Sequence, residues 1–101
     1  MSEKIHLTAL RFELSPATQD QIRQQLDDLL CQRAGVARVD ASFEGEYHDN
    51  TRIIYRVTLR AQMSGEVMFE LKQGEQLLPT IVATARALAQ RLCTPDRTLT
   101  V

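Results

Sequence analysis

The stretch that decides the fold is GEVMFELKQGEQLLPTIVATARALAQRL, residues 65–92. Its first part alternates apolar and polar side chains, which predicts a strand that directs Val67, Phe69 and Leu71 into a core. Its second part repeats apolar residues at helical intervals, which predicts an amphipathic helix. A strand that leads into a broad apolar helix is typical of a domain in which helices cover a sheet.

The segment before this stretch predicts the partner of that strand. Apart from Ile54, residues 52–62 alternate between apolar and polar side chains, which indicates a strand with one apolar face. If the apolar side chains of both strands lie on the same side of the sheet, odd-numbered residues of one strand must lie opposite odd-numbered residues of the other. This requirement selects a three-residue hairpin loop over residues 63–65. This register places Arg60 opposite Met68.

The N-terminal half supplies two more strands and a helix. Residues 4–14 read as a strand, and Ser15, followed by proline, is a preferred helix start. We expect this helix to end near Gly35, and a further strand at residues 39–43 to lead into a polar, turn-rich loop at residues 44–50. The apolar stripe of the helix consists of Ile22, Leu26, Leu29 and Leu30, with Arg33 at its end.

Length and composition agree with one small domain. The chain has 101 residues, of which 44% are hydrophobic and 25% are charged, close to the globular average. The order β-α-β-β-β-α predicts an α+β two-layer sandwich, in which a four-stranded mixed sheet carries both helices on one face. The first two strands should be parallel and the others antiparallel. We expect a single domain over residues 1–93 and a short tail over residues 94–101.

The sequence offers little for catalysis or for cofactor binding. His6 and His48 are the only histidines, and no glycine-rich phosphate loop is present. For His48, which lies among acidic residues, a transient metal contact and an ordinary solvated loop are the two interpretations. We expect no catalytic residues, no bound metal and no cofactor.

The chain also lacks the segments that direct a protein to a membrane. No apolar run approaches the roughly 20 residues of a membrane helix, and the N-terminus has no signal-peptide pattern. We therefore expect a cytoplasmic protein without a membrane partner. Cys31 and Cys93 should then be reduced thiols, with a reversible disulfide between them as the alternative.

Two segments carry a resemblance to a known family. LTALRFELS, residues 7–15, is similar to the segment in which the family's first strand runs into a helix start, and GEQLLPTIVATARALAQRL, residues 74–92, is similar to its closing helix. The family is that of the ribosome hibernation-promoting factor and the ribosome-associated inhibitor, also called the sigma modulation protein family. The resemblance covers residues 5–92. It implies a double-stranded-RNA-binding-like topology and a small bacterial cytoplasmic protein that binds the small ribosomal subunit and blocks translation.

The basic residues decide how far that implication extends. The family's ribosome contacts depend on cations along both helices, and the matching positions here hold Gln25, Asp28, Ala87 and Gln90. Fewer cations on phosphates mean weaker RNA binding, and the net charge of −1 is low for a protein that binds nucleic acid. The remaining candidates for RNA contact are Arg23, Arg33, Arg86, Arg91, Arg52, Arg56 and Arg60.

Two interpretations of the strand arginines remain open, and with them two functions. Arg52, Arg56 and Arg60 form either a row that follows RNA or a charge ladder with Glu66 and Glu70. The leading hypothesis is a ribosome-associated translation inhibitor that binds the small ribosomal subunit. The alternative is a protein-interaction module of the same fold that has lost ribosomal RNA binding and that contacts a second copy or another protein through the sheet face.

Overall fold

One mixed sheet and two helices make up the described part of the chain. The computed structural model describes residues 4–31, 35–48, 51–63 and 65–93. Along the chain the elements are β1 (Ile5–Leu10), α1 (Pro16–Leu26), a π-helical turn (Asp27–Cys31), β2 (Val36–Tyr47), β3 (Ile53–Met63), β4 (Glu66–Gly74) and α2 (Leu77–Cys93). The strands are ordered β1-β2-β3-β4, with β1 parallel to β2 and the other pairs antiparallel. The predicted α+β class and mixed four-stranded sheet are confirmed.

The first helix begins where its sequence predicts and leaves α-helical geometry earlier than expected. The Ser15 hydroxyl accepts the amide hydrogen of Thr18 at 3.2 Å, and the proline that follows occupies the first turn. The α-helix ends at Leu26, and the chain continues through a wider π-helical turn. That turn keeps Leu30 fully buried, so the predicted apolar stripe reaches the core.

The second strand is longer than its sequence indicates. Residues 44–47, predicted to be a loop, continue β2 and pair with β3 as far as Tyr47 opposite Ile53. The interpretation as a loop was wrong because the polar side chains of Glu44 and Glu46 lie on the face of the sheet that no described helix covers. Gly45 is buried on the other face, where a Cβ would lie 3.3 Å from the ring of Phe12.

The register of β4 differs by one residue from the predicted one. Met63 is itself paired, opposite Glu66, so the connection is shorter than predicted, and Gly65 takes a φ of +80° that suits a tight hairpin. The core-facing residues of β3 therefore lie opposite the even-numbered residues of β4. The pairs are Val57 with Lys72, Leu59 with Glu70 and Ala61 with Met68. Val67, Phe69 and Leu71 consequently lie on the uncovered face, and the prediction that they enter the core was wrong.

The core lies between the sheet and the two helices. Phe43, Val57 and Leu59 of the sheet are fully buried, as are Ile81 and Leu88 of α2. The predicted apolar faces of β3 and α2 are therefore confirmed. Neither helix in the described ranges combines the length and the apolar composition that a bilayer crossing requires.

Candidate functional site

The uncovered face of the sheet is divided into an apolar part and a charged part. Val67, Phe69 and Leu71 of β4, called the apolar strip from here on, are 39%, 55% and 52% exposed. They follow one another along the strand at intervals of two, so they form one continuous row. Scattered apolar side chains are normal on a surface, but three in a row along a sheet edge form a patch.

The charged part of this face lies on β2 and β3. Arg56 lies 3.8 Å from a carboxylate oxygen of Glu44 and 3.7 Å from one of Glu46. On β2 itself, the Nε of Arg38 donates to Asp40 at 3.0 Å. A charge ladder is thus present, but its carboxylates come from β2. The predicted partners Glu66 and Glu70 point to the other face, because the register of β4 is shifted.

Arg60 occupies the boundary between these two parts. It is exposed on β3, directly opposite Asp40 on one side and Phe69 on the other. Within the described ranges it makes no hydrogen bond or ion pair. Arg60 therefore presents a free guanidinium beside the apolar strip.

Three of the remaining candidate arginines have partners within the chain. Arg23 donates to the carbonyl oxygen of Ile5 at 2.8 Å and so joins α1 to β1. Arg91 donates to Glu70 at 2.9 Å and to the carbonyl oxygen of Phe69 at 2.6 Å, which joins α2 to β4. The third is Arg52, which lies 3.3 Å from Glu75.

The last two candidates differ from these. Arg86 is exposed on α2 and has no partner among the described residues, whereas Arg33 lies outside the described residues. Lys72, which the sequence did not single out, is likewise exposed and unpaired in the described part of the chain. The structure therefore does not gather the six described candidate arginines into one site.

The outer surface of the helices carries neutral and acidic side chains where the resemblance led us to expect cations. Gln25, Asp28 and Gln90 are exposed, and Ala87 is half-buried. Where the helices meet, a shallow cleft is lined by Gln21, Gln24, Gln25, Leu78 and Val82. A lining of amides and apolar groups offers no fixed positive charge to a phosphate.

Chemical reactivity has little support in the described part of the chain. No group of three or more His, Cys, Asp or Glu side chains there has the geometry to hold a metal ion. Cys31 is a free, half-buried thiol. Burial raises its pKa, Asp27 raises it further, and Lys4 acts in the opposite direction. A raised pKa leaves little thiolate at neutral pH, so Cys31 is a poor nucleophile.

The apolar strip is the feature that sequence analysis missed. Its residues were assigned to the core because they are the more apolar side of β4. The signal in the sequence was the hairpin itself. A two-residue turn that ends in glycine, in place of a three-residue loop, shifts the register by one residue and so turns Val67, Phe69 and Leu71 to the other face of the sheet. Met68, the apolar residue on the charged side of the strand, is half-buried against the core and was the second signal.

Comparison with known proteins identifies the fold. A ribosomal subunit interface protein from Coxiella burnetii superposes with a TM-score of 0.74 over 92% of this chain and 97% of that chain, at 15% sequence identity. The N-terminal domain of Protein Y from Thermus thermophilus gives a TM-score of 0.66 over 88% of this chain and 94% of that domain, at 16% identity. No family model and no curated protein matches the sequence. The resemblance is confirmed in three dimensions: the chain has the fold of the ribosome hibernation-promoting factor family.

Proposed function

We propose that this protein associates with the small ribosomal subunit in the cytoplasm and lowers translation without catalysing a reaction. The observation that supports the proposal is the agreement in fold, along nearly the whole of both chains, with a ribosomal subunit interface protein. The helix layer is the expected contact surface, by resemblance to the family.

The charges of the chain determine what kind of association to expect. Arg60, Lys72 and Arg86 are the cations without a partner in the described ranges. Arg60 lies on the uncovered face of the sheet, so only Lys72 and Arg86 are on the helix side. If both contact phosphates, the logarithm of the binding constant should fall against the logarithm of salt concentration with a slope of about −1.5 to −2. Binding should therefore be weak and only moderately sensitive to salt.

Co-sedimentation with purified small subunits over a series of salt concentrations tests this function. We expect the protein in the ribosomal pellet at low salt, and a reduced amount for Arg86→Gln. Arg38→Gln is the matched control, because it also removes one exposed positive charge but from an arginine already paired with Asp40. Absence of the protein from the pellet at the lowest salt concentration would refute ribosome association.

A second candidate function is a protein-interaction module of the same fold. The observation that favours it is that Arg52, Arg56 and Arg91 have carboxylate partners, while the apolar strip is exposed. Paired charges are less available to phosphates, and an exposed apolar row is suited to protein contact. Light scattering and capture of partners from lysate test this function. A protein that stays monomeric and captures no protein would contradict it.

A further inference from the structure

Among the described residues, strand β4 forms one edge of the sheet, and no described strand pairs with its outer side. It is nine residues long, whereas β1 at the other edge has six. Natural edge strands are commonly shortened, interrupted by proline or given charged side chains, some of which point inward. β4 contains no proline, and its charged residues Glu66, Glu70 and Lys72 all lie on the helix side. Its uncovered side consists of the apolar strip.

We propose that β4 pairs antiparallel with β4 of a second copy of this chain, around a two-fold axis at Phe69. This inference gives the protein-interaction candidate a definite partner, and it does not depend on ribosome association. A two-fold axis perpendicular to the sheet keeps both helix layers on the same side and joins the two sheets into one of eight strands. Backbone groups along both edges then obtain partners, as in strand addition.

The charges of β4 select this register over its neighbours. With the axis at Phe69, Glu66 lies opposite Lys72 of the second copy, and the same pair occurs again on the other side of the axis. An axis at Met68 would instead place Glu66 opposite Glu70, and an axis at Glu70 would place that carboxylate opposite itself. Like charges that face each other directly across strands are destabilising, whereas opposite charges are favourable. Of these three registers, the one centred on Phe69 is the only one in which no two like charges lie directly opposite each other.

The same register makes the apolar strip continuous across the axis. Phe69 lies opposite Phe69 of the second copy, and Val67 lies opposite Leu71. Six apolar side chains then form one cluster where each monomer exposes three, and aromatic and β-branched cross-strand neighbours are favourable in sheets. The exposed fractions of 39% to 55% provide area that this contact can bury.

Arg91 is compatible with this pairing. Its guanidinium donates to the carbonyl oxygen of Phe69, which lies at the proposed axis. A carbonyl oxygen accepts two hydrogen bonds, so an amide of the second copy can share it. Arg91 also pairs with Glu70, which the register places opposite Met68 rather than opposite a charge. Glu70, which faces no cation of the second copy, is therefore paired with a cation of its own chain.

A single-stranded nucleic acid that stacks on Phe69 is the competing occupant, and the charges of the face disfavour it. Nucleic-acid platforms combine aromatic side chains with a positively charged groove. Here Arg38 and Arg56 have carboxylate partners on the same face, which leaves Arg60 as its free cation among the described residues. A face with nearly balanced charge beside an apolar row is better suited to a second copy.

Charge reversal on the exposed positions 66 and 72 tests the pairing and its register together. Sedimentation equilibrium of the full chain at micromolar to millimolar concentrations should show a monomer–dimer equilibrium. Glu66→Lys and Lys72→Glu should each weaken dimerisation by roughly tenfold or more, because each variant creates two like-charged pairs. The double variant, which restores both opposite-charge pairs, should return the dissociation constant close to that of the unmodified chain.

A second pair of variants tests the apolar strip. Phe69→Lys should abolish dimerisation, whereas Leu10→Lys, at a leucine 51% exposed on β1, should leave it unchanged. Three results overturn the proposal. The first is a protein that is still monomeric at the highest concentration, and the second is a double charge variant that dimerises no more tightly than the single variants. The third is an equal loss of dimerisation in Phe69→Lys and Leu10→Lys. Monomeric protein that binds oligouridine through Phe69 also overturns it, in favour of nucleic-acid stacking. Because no ribosome is present, these outcomes are independent of the co-sedimentation result.

Discussion

Truncation of Phe69 to alanine tests the register of β4 through protein stability. The Phe69 side chain is 55% exposed on the uncovered face of the sheet. A Phe→Ala change at a fully buried site costs about 3–5 kcal/mol. Complete burial of a phenylalanine contributes about 1.5–3 kcal/mol, and less than half of this one is buried, so we expect a loss of about 1 kcal/mol in the free energy of unfolding.

Urea unfolding followed by far-UV circular dichroism provides the measurement. Leu59→Ala is the buried control, because Leu59 is fully buried on the neighbouring strand, and it should cost about 2–5 kcal/mol. Leu10→Ala is the exposed control. Each variant is unfolded at a low and a high protein concentration, because dimerisation adds concentration-dependent stability. The register is refuted if Phe69→Ala costs as much as Leu59→Ala at the low concentration.

Three further outcomes follow from local contacts. Gly74→Ala should destabilise the protein by about 1–3 kcal/mol, because the added Cβ would overlap the hydroxyl of Thr80. In the double variant with Thr80→Ala, the loss of stability should be smaller than the sum of the two single losses. Additive losses would contradict the contact. Ser15→Ala should lower the free energy of unfolding by about 1 kcal/mol through loss of the helix cap, whereas no change in the urea midpoint would count against that cap. Burial raises the pKa of Cys31, so in a Cys93→Ser background its alkylation should require a higher pH than in urea-unfolded chains; identical pH profiles would contradict this.

The fold was predictable where one element's own pattern decides its orientation. The alternation in β3 and the broad apolar face of α2 each allow only one orientation toward a core, and both orientations were predicted correctly. The Ser15 cap was equally readable, because capping depends on a local hydrogen bond. The π-helical turn after Leu26 was not, since an i to i+5 bond has no distinct sequence signature in this helix.

The face of β4 was not predictable from the alternation within that strand. Its orientation depends on whether Met63 is paired, which sets the hairpin length, and on contacts with a helix that follows it in the chain. Arg91 of α2 binds both Glu70 and the Phe69 carbonyl, so the charged side of the strand is the side that the helix can satisfy. At a sheet edge, where burial is partial, such contacts can outweigh apolar alternation.

The partners of the candidate arginines were unpredictable for a related reason. Glu44 and Glu46 can approach Arg56 only because β2 extends past Gly45, and a glycine flanked by two glutamates reads as a loop. The buried side of Gly45 is set by contact with Phe12, which comes from a distant part of the sequence. The ion-pair ladder, one of the two interpretations that the sequence left open for the strand arginines, was expected with carboxylates of β4, whereas the carboxylates that pair with Arg56 lie on β2.

The two surfaces proposed here can be separated experimentally because they lie on different elements. Ribosome association is assigned to the helix layer, where Arg86 is the exposed cation without a partner in the described ranges. Self-pairing is assigned to the edge and uncovered face of β4. A two-fold axis perpendicular to the sheet leaves both helix layers on one side, so pairing does not place the sheet of one copy over the helices of the other. Phe69→Lys should therefore abolish dimerisation and leave ribosomal co-sedimentation intact, while Arg86→Gln should have the reverse effect. Loss of both properties in either variant would show that one surface serves both, which would contradict this assignment.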